Sequence, residues 1–259
     1  FSPQHFLGYM QKAGKLDHGE SAPASVIICY QKSLFDHVVH NHRIRYHEGY
    51  FGQHLAYLEE TGGTVAMAGN FGIGAPAAAV MLEELIAWGV KSFVSLGFAG
   101  GLVKGLHPGN LVLCTEALRD EGLSYHYAPE GERALPDPAL SAALGSAFTS
   151  RGARYREGPT WTTDAIYRET WLEVDKRVEQ GAITVEMEAS ALFTVARYRN
   201  VPIASCFTIS DSLAEPEWKP DFLSADTRVG LETIFAAAVD ALHKAGVDSV
   251  KVNGTAIKQ

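Results

Sequence analysis

The chain has 259 residues, 46% of them hydrophobic and 20% charged, with a formal net charge of −8. That composition is ordinary for a globular protein long enough to bury a substantial core, and its acidic balance argues against a general nucleic-acid surface. No apolar run approaches the length of a membrane-spanning helix. The first residues, Phe1-Ser2-Pro3-Gln4-His5, carry no basic segment leading into an apolar core, so no secretory leader is expected.

Apolar runs at 24–30 and 64–68 read as strands on either side of a predicted helix at 53–60, with a polar-looking helix around His37, Val38 and Asn41. The clearest helix is Ala75–Trp88, where Val80, Leu82, Leu85, Ile86 and Trp88 form an apolar stripe and Glu83 and Glu84 a polar face. Strands are expected next at 92–96 and 111–115. The segment 119–138, rich in proline and glycine, reads as an irregular crossing or a cover over a site. Helices follow at 138–150 and 170–179, a strand at 183–185, a helix at 187–199, a strand at 201–209 and a helix at 230–244. Strands alternating with helices predict an α/β fold with a largely parallel sheet covered on both faces. The expected domain covers residues 1–247, and 248–259 reads as a polar, mobile tail. Cys29, Cys114 and Cys206 each fall in an apolar run. An odd, widely spaced set gives neither a disulfide framework nor a zinc pattern, so a reducing, cytoplasmic setting is expected. The cluster His37, His40, His42, His47 and His54 has no recognised ligand spacing and reads as a solvated face, so no metal is expected.

The most informative stretch is Thr184-Val185-Glu186-Met187-Glu188-Ala189-Ser190, followed after one more strand by Ile209-Ser210-Asp211. Alternation along an extended chain puts Glu186 and Glu188 on one side and Met187 on the other. Paired carboxylates at a strand end suit vicinal hydroxyls, and an acid near a bound heterocycle can protonate it as a leaving group. Together these point to chemistry on a ribosyl compound. The same spacing also fits an ordinary helix start with acids favoured by the dipole. Gly72-Ile73-Gly74-Ala75-Pro76-Ala77 fits a loose dinucleotide-binding pattern, but the following strand ends without the acid that would hold a ribose. Its glycines fit better a helix N-terminus turned toward a ligand. Gly97-Phe98-Ala99-Gly100-Gly101 permits either close backbone approach to a ligand or a plain tight turn. The run from Trp161 to Arg168 suits stacking on a base, and equally a surface turn.

These three pieces together, Gly72-Ile73-Gly74-Ala75-Pro76, Gly97-Phe98-Ala99-Gly100-Gly101 and Val185-Glu186-Met187-Glu188-Ala189, resemble the nucleoside phosphorylase-I superfamily over most of the chain, from His5 to Asp211. The resemblance implies a single-domain α/β fold, a central mixed sheet partly closed into a distorted barrel and flanked by helices. It implies cleavage of a nucleoside N-glycosidic bond, most readily phosphorolysis to base and ribose 1-phosphate, with phosphate as co-substrate and no cofactor. Carried over by position, Glu188 holds the ribose hydroxyls, Met187 packs on the sugar, and His5 reaches a neighbouring subunit's ribose site. Glu186, Ala99, Gly100, Ile166, Tyr167 and Arg168 form the base end. Asp211 matches the acid that protonates the base in purine-cleaving members, which favours a purine nucleoside slightly over uridine. The Gln and Arg that uridine phosphorylases direct at uracil fall at Thr170 and Leu172.

The chain departs from the family at phosphate. A Gly-Asp-Pro-x-Arg turn is replaced by Tyr30-Gln31-Lys32-Ser33-Leu34, and an Arg-x-Gly-Thr or Arg-x-Gly-Ser run by Ser95-Leu96-Gly97-Phe98. Lys32, with Arg43 or Arg45 from a neighbouring subunit, is the expected replacement, beside Ser95 and Phe98. The alternatives are a hydrolytic nucleosidase, though no acid lies between Val26 and Phe35 to activate water and Asp36 is the nearest, or a catalytically weak nucleoside-binding protein. The expected partners are a small nucleoside and phosphate, within a homo-oligomer, either a dimer or a hexamer, with no nucleic acid or membrane.

Overall fold

The computed structural model describes residues 1–254 apart from 17, 18, 20 and 216, and of 244–254 the backbone alone. One strand, β5 (Ser92–Gly101), has three partners, and this sets the architecture. On one edge it runs parallel to β9 (Ile203–Ser212) from Phe93 to Gly101. On the other edge its first half pairs in parallel with β1 (Ser25–Cys29), as far as Leu96 opposite Cys29. Its last two residues pair antiparallel with β8 (Thr184–Glu186). From β8 the ladder continues through β7 (Tyr155–Thr163) and β6 (Leu111–Asp120) back to β9, closing a five-stranded mixed barrel. From β1 the sheet fans out through β4 (Val65–Ala68), β3 (Leu55–Leu58) and β2 (Ile44–Tyr46). The short β10 (Lys219–Pro220) lies against the end of β9.

A bulge between Ala99 and Gly100 falls where β5 leaves the open sheet for the barrel, as bulges do where a strand must bend. Gly100 is needed there, because a Cβ would stand 2.7 Å from Leu213 and 3.0 Å from Val185. The fork between β1 and β8 leaves a gap on the edge of β5, and the chain ends that frame this gap build the site.

Strands buried on both faces need helices on both. On one face α1 (Pro3–Lys12), α3 (Ala75–Trp88) and α6 (Ala189–Arg199) share a core with Val26, Ile28, Phe93 and Ile209. On the other, α2 (Lys32–Asn41), α4 (Pro138–Ser150) and α7 (Ala225–Gly254) pack on Ile27, Val94, Leu113 and Cys206. α5 (Trp171–Glu179) covers a small third core through Val174, against Trp161 and Val185. Among the described residues no helix is long and apolar enough to cross a membrane. All three cysteines are free and buried, and burial pushes their thiols up.

Several elements differ from the expectations. The helix expected at 53–60 is β3 between two 3₁₀ turns, Gly52–His54 and Glu59–Thr61; all four of its residues are buried, and the run is too short for a helix. β7 is an unforeseen strand, because Arg156, Glu157, Gly158 and Pro159 interrupt its apolar run. β2 and α1 were likewise unmarked by periodicity. β5 and β6 run past their expected ends, so 97–101 is strand, not turn. On α3, Val80 is exposed while Glu83 is buried, the reverse of the expected faces. Glu83 tolerates burial because Arg199 of α6 donates to both its oxygens, at 2.6 and 2.8 Å, and the Tyr127 hydroxyl adds a third bond. α7 continues as a helix to Gly254, and 255–259 of the expected tail lie outside the described residues.

Candidate active site

A cavity of about 700 Å³ opens at the fork of β5. Tyr30 and Gln31 enter it from the end of β1, Phe98, Ala99 and Gly100 from β5, Val185 to Glu188 from β8, and Ser210 and Asp211 from β9. Ile166, Tyr167, Glu169 and Trp171 close one side, and Leu213, Trp218 and Phe222 another. Each contribution comes from a strand end or the loop after it, where an open α/β sheet presents its ligands.

Glu186 ends β8, and there the chain turns, so the alternation expected to pair Glu186 with Glu188 does not persist. One Glu186 oxygen accepts the backbone N–H groups of Glu188 and Ala189, at 2.8 and 2.7 Å. Its other oxygen accepts the Thr162 hydroxyl at 2.5 Å. The carboxylate thereby satisfies donors at the start of α6 that would otherwise be orphaned. Burial raises its pKa, and those three bonds oppose the rise without cancelling it. Behind it, the Ser190 amide donates to Thr162, and the Ser190 hydroxyl to the buried carboxylate of Glu121.

Glu188 is the N-cap residue of α6. It accepts the Gly74 amide, at the N-terminus of α3, at 2.5 Å. Burial raises its pKa first, and the charge of Glu186 adds to the rise. Asp211 is fixed from two sides: the Ser210 hydroxyl donates to one oxygen at 2.7 Å and the Trp218 indole N–H to the other at 2.9 Å. Phe222 packs edge-on to Phe98 at 5.9 Å, forming an aromatic wall between β5 and the segment after β9.

The far end of the cavity departs most from the family pattern. Tyr30 stands edge-on to Phe71 at 6.0 Å and shares a 2.9 Å hydrogen bond with buried Ser95. Gln31 places a buried side-chain oxygen there with no partner. Among the described residues that line the cavity there is no Lys, Arg or His. Lys32 is 75% exposed and pairs with Asp36 one turn along α2. Arg45 stacks over Tyr57 at 4.2 Å. Arg43, Arg168 and His5 are likewise outside the lining of the cavity in a single chain.

Of the residues singled out in the sequence, the fold therefore brings Ala99, Gly100, Phe98, Ile166, Tyr167, Glu186, Met187, Glu188 and Asp211 together. Sequence reasoning missed Tyr30, Gln31, Glu169, Trp171, Trp218 and Phe222. Tyr30 and Gln31 were legible, since they directly follow an apolar strand whose end faces the ligand side. Trp218 and Phe222 lie in an irregular segment without a pattern. Glu169 was overlooked between Arg168 and Thr170. It is half-buried, and burial followed by the charge of Asp211 pushes its carboxyl up to about 7.

Residues 27–244 match the family model of the phosphorylase superfamily. A guanosine phosphorylase from Halorubrum lacusprofundi is 32% identical over 142 residues, 55% of this chain and 59% of that protein. The chain thus spans about three-fifths of that relative's length. A uridine phosphorylase from Treponema pallidum is 29% identical over 181 residues, 66% of this chain and 69% of that protein. An AMP nucleosidase from Bacteroides thetaiotaomicron superposes with a TM-score of 0.77 at 21% identity, covering 96% of this chain and all of that one, a likeness of fold.

Proposed function

The chain belongs to the phosphorylase superfamily, and from that premise we propose that it cleaves the N-glycosidic bond of a purine nucleoside by phosphorolysis, releasing the base and ribose 1-phosphate. The observation that carries this reading is the meeting of Glu188, Met187 and Asp211 in one cavity. Glu188 takes the ribose hydroxyls with Met187 against the sugar, and Asp211 faces the base. Cleavage develops positive charge on the sugar ring, which nearby carboxylates stabilise. Asp211 delivers a proton to the departing base. Its two fixed donors hold it in place, which makes proton delivery a matter of positioning rather than search.

Phosphate then attacks the anomeric carbon as the bond to the base breaks. Its charge calls for cations, and in this reading Arg43 or Arg45 of a second copy supplies them, with His5 of that copy near the ribose. The reading makes the protein a homo-oligomeric pentosyltransferase with no cofactor. A second reading, hydrolysis, is favoured by one observation: the end of the cavity nearest β1 is built from Tyr30, the unpartnered Gln31 oxygen and Phe98, a setting better suited to water than to a dianion.

Base release from adenosine, inosine, guanosine, uridine and methylthioadenosine, each with and without phosphate, tests both. Ribose 1-phosphate formed only with phosphate supports phosphorolysis. Free ribose at one rate in both buffers replaces it with hydrolysis. Tight nucleoside binding without product in any buffer makes the protein a binding protein.

A further inference from the structure

Four carboxyl groups line the cavity, and three of them are held by the protein. Glu186 accepts three donors, Glu188 the Gly74 amide, and Asp211 a hydroxyl and an indole N–H. Glu169 is different. It follows the 3₁₀ turn Ile166–Arg168 and precedes Thr170, the N-cap of α5, whose capping box uses Glu173 instead. Arg168 and Thr170 on either side are exposed, whereas Glu169 is partly buried and contributes to the cavity wall. Among the described residues no hydrogen bond or ion pair reaches its carboxyl. A half-buried carboxyl in a cavity wall without a protein partner leaves hydrogen-bonding capacity for a ligand.

We propose that Glu169 reads the base, selecting a purine whose six-membered ring presents adjacent N–H donors, as in 2-amino-6-oxopurines. The inference rests on the cleavage reading for the orientation of the ligand, with the sugar at Glu188 and the base toward Asp211. A carboxylate accepts two parallel N–H bonds, and the ring N–H beside the exocyclic amino group of guanine offers that pair. Adenine offers a donor beside an acceptor, and uracil a lone N–H between two carbonyl oxygens that a carboxylate repels. Burial raises the Glu169 pKa and the neighbouring Asp211 adds to the rise, so a donor-rich edge placed before Glu169 relieves repulsion between the two acids, and an acceptor-rich edge does not.

The test is calorimetric binding of guanine, hypoxanthine, adenine and uracil to the wild-type protein and to Glu169→Gln, with kcat/KM for the matching nucleosides in phosphate buffer. Guanine is expected to bind tightest to the wild type. Glu169→Gln is expected to weaken guanine by about 10- to 100-fold, the loss of a charge-assisted pair, while changing adenine by less than about threefold. A wild-type preference for adenine or uracil overturns the proposal, whatever the variant does. So does an equal effect of the variant on all four bases, or the absence of base binding. If the expected binding pattern appears but no nucleoside turns over in any buffer, the cleavage reading fails and the role of Glu169 stands. Turnover without the pattern has the opposite meaning.

Discussion

The Gly74 amide and the Glu188 carboxylate, 114 positions apart in the chain, meet at 2.5 Å and tie the N-terminus of α3 to the N-terminus of α6. Gly74 makes this contact from a backbone conformation, φ +91° and ψ 159°, that is almost exclusive to glycine. A Cβ at Gly74 meets nothing closer than Met187 at 3.9 Å, so space is available and backbone strain decides. Gly74→Ala is expected to lower stability by about 1–3 kcal/mol and to raise KM for the nucleoside, because Glu188 loses its fixed donor. Urea unfolding and steady-state kinetics check both. Wild-type stability in the alanine variant means the left-handed conformation is dispensable.

Glu188 should show function opposing stability. Its pKa is raised in the folded state, so the folded protein holds that proton more tightly than the unfolded chain does. The favourable contribution is complete below the ordinary carboxyl range and is lost as pH rises through the raised value. Glu188→Gln removes the buried charge and keeps an oxygen for the Gly74 amide. The variant is expected to unfold at a higher urea concentration than wild type at pH 9, by about 2 kcal/mol, and to match it near pH 4. Its kcat/KM should fall by about 100-fold. An equal gain at both pH values contradicts ionisation of Glu188 as the cause.

Much of this site was legible because its chemistry sits on short contiguous runs. Glu186, Met187 and Glu188 follow one strand and Asp211 ends the next, so the order of elements alone brought them to one end of a sheet. The path of β5 was not legible. Its Gly97-Phe98-Ala99-Gly100-Gly101 run reads as a turn locally, and only pairing with both β8 and β9 makes it strand. The separate duties of Glu186 and Glu188 were hidden for a similar reason, because the chain bends at the residue where alternation was assumed to continue. β7 was concealed by a local pattern its tertiary partners override, and Glu83 by a partner 116 positions away.

Asp211 and Trp218 separate proton delivery from positioning. Asp211→Asn keeps the shape and removes the proton donor, so kcat is expected to fall by about 10²- to 10⁴-fold while the nucleoside still binds. Full activity in that variant excludes Asp211 as the proton donor in either enzyme reading. Trp218→Phe removes the indole N–H at 2.9 Å and keeps an aromatic ring near Phe222. Its kcat is expected to fall by about tenfold with little change in KM, because Asp211 loses the donor that fixes its second oxygen. An unchanged kcat leaves Trp218 only a packing role.

Arg199, the last residue of α6, clamps that helix to Glu83 in the second half of α3. The Arg199 side chain is 28% exposed and that of Glu83 9%, so the carboxylate is the more deeply buried partner. Arg199→Leu leaves that carboxylate with only Tyr127 and is expected to destabilise the protein by about 3 kcal/mol, the low end for breaking a buried pair. Adding Glu83→Gln should recover part of the loss. A double variant as unstable as the sum of the two single changes removes the coupling inferred from the geometry.

The last prediction concerns how the site is completed. Tyr167 and Trp218, which line the cavity, are 94% and 58% exposed, so apolar rings form part of the rim of a cavity with no cation among the described residues that line it. A second copy that covers the rim and brings Arg43 or Arg45 answers both features, and sedimentation should give a dimer or a hexamer. Complementation is the sharper check. Asp211→Asn and the double variant Arg43→Ala, Arg45→Ala are each expected to be nearly inactive. In a symmetric assembly with shared sites, a mixed pair carries one doubly damaged site and one intact site. Re-equilibrated equal mixtures should therefore regain about a quarter of wild-type activity, from random pairing across the two-fold interface. No recovery, or full activity in a monomer, means each chain completes its own site and the cations must be sought elsewhere.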